Sequence, residues 1–217
     1  MPDNHFRYVV VEGPIGVGKT SLARRLAQSF GSELLLEEPE DNPFLRRFYE
    51  DPRGAALPAQ LFFLFQRARQ MEQLRQSDMF EEVRVADFLL DKDRLFAELT
   101  LDADELGLYE QIFSKLAIDA PDPDLVVYLQ APADVLMRRI AMRGIAHEQR
   151  IQREYLEALM ESYARFFHEY DRSPLLIVNT TDIDPVNNVA DYQLLHERIM
   201  EVRSGRHYYN PSVGALA

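Results

Sequence analysis

The chain has no cysteine in its 217 residues, which excludes a disulfide framework and any thiolate metal site and agrees with a reducing compartment. It is also short of positive charge. Against 36 Asp and Glu there are 24 Lys and Arg, a formal net charge of −12. That excess repels a polyanion unless basic groups gather locally, so nucleic acid is not an expected partner, whereas a small anion held by a few converging cations is. Long apolar runs are missing too: the longest, such as "LFFLF", fall far short of the ~20 residues a bilayer span requires. The start "MPDNHFRYVVVEG" has no basic segment followed by a signal-type apolar stretch. The expectation is a cytoplasmic protein with no membrane contact.

With 47% hydrophobic and 28% charged residues, the chain has enough apolar material for one substantial core, and its length suits a single domain over 1–217. Short aliphatic and β-branched runs, "YVVV" (8–11), "ELLLE" (33–37), "VRVADF" (83–88), "LVVYL" (125–129) and "LLIV" (175–178), alternate with longer helical patterns. This predicts an α/β fold: a five-stranded parallel sheet whose strands are covered on both faces by helices. In the first helix Leu22, Ala23, Leu26, Ala27 and Phe30 recur at helical spacing and Gly31 can end it. The stretch 205–217 reads as a turn-rich tail.

Between the first strand and that helix lies "GPIGVGKT": Gly13, Pro14, Ile15, Gly16, Val17, Gly18, Lys19 and Thr20. It satisfies GxxxxGK[ST] in the strand–turn–helix context that makes the pattern a site. Glycines let successive N–H groups curl inward around phosphate oxygens, and the helix N-terminus adds partial positive charge. Lys19 is expected to reach the β/γ-phosphates of a nucleoside triphosphate and Thr20 a Mg²⁺ ion.

Further along, Leu57, Leu64, Met71 and Leu74 form one stripe of a helix over about 58–76, and Gln60 and Arg67 fall inside it. A buried amide or guanidinium costs free energy unless it is satisfied. Gln60 could pair with the edge of a nucleobase, and Arg67 could do likewise or pair internally with Asp87 or Asp91. Glu37 and Glu38 end the second strand and Asp87 the third, at the edge where open parallel sheets bind ligands. One carboxylate there could accept a proton from an attacking hydroxyl and another could hold Mg²⁺ through water; spacing alone does not say which Glu is the base. Arg139 and Arg143, four residues apart, share a helix face and could close on a transferring phosphate, with Gly144 as a hinge to a lid over about 143–150.

Taken in order, "GPIGVGKT", "EEPEDNPFLRRFYEDP", "PAQLFFLFQRAR", "DFLLDKDRLFA" and "RGIAHEQRIQREYL" resemble the deoxynucleoside kinase family, especially bacterial members acting on deoxyadenosine, deoxyguanosine or deoxycytidine. The resemblance runs from about Tyr8 to Asn179. It implies a P-loop kinase fold and ATP-dependent phosphorylation of a nucleoside 5′-hydroxyl with Mg²⁺, a step of nucleotide salvage. It makes Glu38 the general base, Gln60 the base-pairing amide and Arg67 its neighbour. Tyr49 and Glu148 become the pair on the sugar 3′-hydroxyl, Arg139 and Arg143 the lid arginines, and Asp87 the metal-side carboxylate. Asp91 is expected to shape the base pocket, and a homodimer is implied, with helices at 104–118 and 154–170 as candidate surfaces. Two departures stand out. Where relatives place Arg-Ser after the acidic residue, this chain has Phe88-Leu89, with Lys92 as a possible substitute; in the lid, Ile145 replaces a further arginine.

Two other readings fit parts of the pattern. A nucleoside monophosphate kinase resembling thymidylate kinase would need extra cations at the acceptor, against which Glu37 and Glu38 argue. A non-catalytic scaffold of the same fold would have little reason to keep Lys19, Thr20, Glu38 and Arg143 in register.

Overall fold

The computed structural model describes residues 5–52, 54–76, 83–116 and 120–211. At its centre is β1 (Tyr8–Glu12), buried at every position, as a continuous apolar run covered on both faces must be. It pairs in parallel with β3 (Arg84–Ala86) on one side and β4 (Leu125–Gln130) on the other. With β2 (Glu33–Leu35), β5 (Leu175–Asn179) and β6 (Arg206–Tyr209), the order is β2-β3-β1-β4-β5-β6, every pair parallel. The sheet thus has six strands rather than the expected five. The sixth comes from the segment expected to be a turn-rich tail, where Arg206 and Tyr208 are exposed and His207 and Tyr209 half-buried. Residues 212–217 of that tail lie outside the described residues.

Helices cover both faces: α1 (Lys19–Phe30), α2 (Leu45–Glu50), α3 (Ala56–Gln76), α4 (Lys92–Thr100), α5 (Ala103–Leu116), α6 (Ala133–Arg143), α7 (Arg153–Glu169) and α8 (Val189–Glu201). In α1 the buried residues are the predicted Leu22, Ala23, Leu26 and Ala27. Gly31 ends it at φ 63, and Ser32 N–H returns to the Ala27 carbonyl at 2.9 Å. α7 packs aromatic rings on the sheet, Phe167 lying 4.2 Å from Tyr128 centroid to centroid. Among the described residues no helix is long and apolar enough to cross a membrane.

Because all strands run the same way, β1, β2 and β3 deliver Gly13, Glu37 and Asp87 to one edge. The chain passes from β1 outward to β2, returns to β3, then crosses to β4 on the far side of β1. This reversal of strand order opens a crevice at the carboxyl end of β1.

Candidate active site

The turn leaving β1 is built by backbone that only glycine tolerates. Gly13 has φ +147, and a Cβ there would sit 2.4 Å from the Leu129 carbonyl oxygen; at Gly16, φ +83, it would meet Ile140 Cγ1 at 2.7 Å. α1 then starts from Gly18 with no side-chain cap and no acidic residue in its first turn, leaving its first N–H groups for an anion. Lys19 Nζ donates to the Gly13 carbonyl at 2.7 Å. Burial lowers its pKa, the Lys92 ammonium adds to this, and Glu12, Glu37 and Asp87 oppose it.

Thr20 Oγ1 donates to Asp87, and the other Asp87 oxygen accepts the Glu37 backbone N–H at 2.7 Å. Burial raises the Asp87 pKa, against the pull of those two hydrogen bonds. A hydroxyl and a carboxylate side by side are hard oxygen donors. They fit Mg²⁺, which is usually held by one or two protein oxygens plus water and substrate phosphate.

One cavity runs on from this turn. Its walls include Gly16, Lys19, Thr20 and Asp87 at one end and Gln60, Phe63, Arg67 and Phe96 at the other, with Tyr49, Arg143 and Glu148 over the top. Glu37 lines it at the junction. Glu38 does not: it is exposed, and its backbone carbonyl accepts from Gln66 Nε2 at 3.4 Å. Glu38 opens a single helical turn over Pro39–Asp41, and the two neighbouring carboxylates part there, one to the cavity and one to solvent. The residue that the resemblance makes the base thus lies outside the cavity, while its neighbour Glu37 lines it.

Glu37 is held from two directions, by Arg67 and by Lys92 Nζ at 3.2 Å. Burial would raise its pKa, but Arg67, then Lys92 and Lys19, outweigh that and take it down to about 2. Arg67 is buried as its place in the stripe requires, and it also pairs with Asp93, which is fully buried. Neither Asp87 nor Asp91 is its partner. Asp91 instead pairs with Arg172 at 2.7 Å, away from the cavity. Residues 91 and 93 lie about 200° apart around a helix, so the α4 start that turns Asp93 inward turns Asp91 out. Gln60 is buried with Nε2 on Thr100 Oγ1 at 3.2 Å; its Oε1, Arg67 Nε and Asp93 Oδ2 have no protein partner.

The lid arginines separate. Arg143 lines the cavity and meets Glu148 at 2.5 Å, beside Tyr49, whose ring stacks on His147 at 5.9 Å. Arg139, one turn earlier, bonds Thr180 Oγ1 at 2.9 Å and the Thr180 carbonyl at 2.7 Å and does not line the cavity. Its guanidinium donors are taken up by these acceptors rather than reaching over the site. Sequence reasoning missed Asp93 and Glu12. The only sign of Asp93 was its place two residues after "DFLLD", in the first turn of the following helix.

Residues 9–203 match the sequence profile described as "Deoxynucleoside kinase". The chain belongs to the deoxynucleoside kinase family. It is 35% identical over 202 residues to a deoxyguanosine kinase of Bacillus subtilis (strain 168), covering 90% of this chain and 97% of that one. A deoxyadenosine kinase of Lactobacillus acidophilus is 28% identical over 204 residues, with 87% and 93% covered. Among solved structures, a deoxyadenosine kinase from M. mycoides with bound dATP superposes with a TM-score of 0.77 at 22% identity, covering 89% of this chain and 98% of that chain, a likeness of fold. This deoxynucleoside kinase therefore has the expected parallel α/β architecture, extended by β6, and its glycine-rich turn opens into the cavity.

Proposed function

We propose that this kinase transfers the γ-phosphoryl group of ATP to the 5′-hydroxyl of a deoxyribonucleoside whose base bears an exocyclic amino group: deoxyguanosine, deoxyadenosine or deoxycytidine. The observation that carries this is the single cavity joining a phosphate cradle at Lys19 and Thr20 to a polar base pocket at Gln60 and Arg67, with one carboxylate, Glu37, at the junction. A buried acceptor without a partner on the cavity wall, Gln60 Oε1, favours a ligand that brings an N–H donor. Tyr49 and Glu148 line the same cavity and would take the sugar hydroxyl, and Phe63 and Phe96 add apolar wall.

In this reading Glu37, not Glu38, receives the hydrogen bond of the 5′-hydroxyl and accepts its proton. A carboxylate kept ionised by Arg67 and Lys92 is a weak base, but in a loose phosphoryl-transfer transition state the acceptor hydroxyl chiefly needs to be oriented. Lys19 and Arg143 supply positive charge to the transferring group. Thr20 and Asp87 would hold Mg²⁺, which when bound neutralises charge on the phosphates. Arg139 braces the cradle through Val17 and the loop after β5 through Thr180. The purified protein, given ATP, Mg²⁺ and each of the four deoxynucleosides separately, should form monophosphate from the three amino-bearing substrates and at least tenfold less from thymidine. Equal rates with thymidine would remove the base-pocket assignment, and no product from any would remove the function.

A further inference from the structure

Glu12, the last residue of β1, is fully buried, and nothing in the reaction above employs it. Its two oxygens collect partners from four parts of the chain. Oε2 accepts the Gly13 N–H at 2.9 Å and the Tyr163 hydroxyl at 3.0 Å. Oε1 accepts the Leu89 N–H at 2.8 Å and faces Lys92 Nζ at 3.4 Å. A carboxylate removed from water this completely needs such partners, but a neutral side chain would fill the space without them, so its charge calls for a use.

The use is visible one contact away. Lys92, 2% exposed, opens α4 and carries its ammonium between Glu12 and Glu37, at 3.4 Å and 3.2 Å. Lys92 also lines the cavity. We infer that Glu12 and Lys92 are positioning residues for phosphoryl transfer: Glu12 holds the Lys92 ammonium, and Lys92 holds the Glu37 carboxylate at the cavity junction. Because the carboxylate that holds Lys92 also binds the N–H of Gly13, the first glycine of the cradle, one side chain sets the spacing between the donor phosphates and the group that receives the hydroxyl. Rate depends steeply on that spacing. The inference rests on the proposed role of Glu37.

The test is steady-state kinetics with ATP, Mg²⁺ and deoxyguanosine on Glu37→Gln, Lys92→Met, Lys92→Arg, Glu12→Gln and the double variant Lys92→Met/Glu37→Gln, with a thermal unfolding midpoint for each. Lys92→Met should lower kcat roughly tenfold or more while the nucleoside KM moves by less than about threefold, the pattern of an interaction that matters in the transition state. Lys92→Arg should recover most of that loss, and Glu12→Gln should repeat it in weaker form. The double variant should be within about twofold of Glu37→Gln alone, since residues acting as one unit are non-additive. A double variant slower by the full Lys92→Met factor overturns the inference, as does normal kcat in Lys92→Met beside an impaired Glu37→Gln. Normal kcat in Glu37→Gln overturns the role of Glu37 itself, a separate failure. Should Lys92→Met not fold, Glu12→Gln decides: reduced kcat with unchanged KM supports the inference, and unchanged kcat overturns it.

Discussion

The two ends of the cavity are made of different materials. The cradle end is backbone: a turn whose glycines sit at φ +147 and +83, pressed against the Leu129 carbonyl and Ile140, and a helix start with free N–H groups. The acceptor end is side chain: carboxylates and cations alternate from Glu12 through Lys92, Glu37 and Arg67 to Asp93, drawn from β1, α3, α4 and the segment after β2. A phosphate has the same charge in every substrate, so fixed peptide dipoles serve it well. A nucleoside must be oriented and told apart from others, and that takes groups whose identity can be varied one at a time.

The two ends should fail differently. The largest effect is expected from Glu37→Gln: kcat lower by roughly 10²-fold, nucleoside affinity nearly unchanged by isothermal titration, and Glu38→Gln within a few-fold of wild type. Reversal of that pair would restore Glu38 as the base. Next comes Gly13→Ala, which forces a Cβ against a main-chain carbonyl at a positive φ. It should cost about 1–3 kcal/mol of stability and weaken ATP binding, seen as a lower unfolding midpoint and a smaller shift on adding ATP. A stable variant with wild-type ATP affinity would show that the cradle tolerates far more than its geometry implies. The smallest effects separate the lid arginines. Arg143→Ala should reduce kcat about tenfold with little change in stability, whereas Arg139→Ala should cost about 1–2 kcal/mol through its lost bonds to Thr180 and change kcat less. The opposite order would return Arg139 to the transferring phosphate.

The same division governs what could be read from the sequence. β1, β4 and β5 announced themselves as continuous aliphatic runs because strands buried on both faces need them. β6 did not, since an edge strand half-covered on one face needs only the alternation of "RHYY". The cradle was legible because its residues stand at fixed offsets within one turn. Gln60 and Arg67 were legible as polar intrusions in an apolar stripe. The choice between Glu37 and Glu38, and between Asp93 and Asp91, turned on which way a side chain faces at the junction of two elements, and a shift of one or two residues reverses that. Glu12 gave no sign at all. Its partners Leu89 and Tyr163 lie 77 and 151 residues away along the chain, and no local pattern encodes a meeting at that separation.

The central position of β1 also bears on how the molecule is made. β1 leaves the ribosome before either of the strands that flank it, β3 and β4, and the second of these begins only at Leu125. Until β4 has emerged, the glycine-rich turn hangs from a strand with an open edge, exposed to pairing with other nascent chains. Synthesis therefore passes through a vulnerable interval that ends when β4 docks, and slowing translation before that point should cost more soluble product than slowing it after.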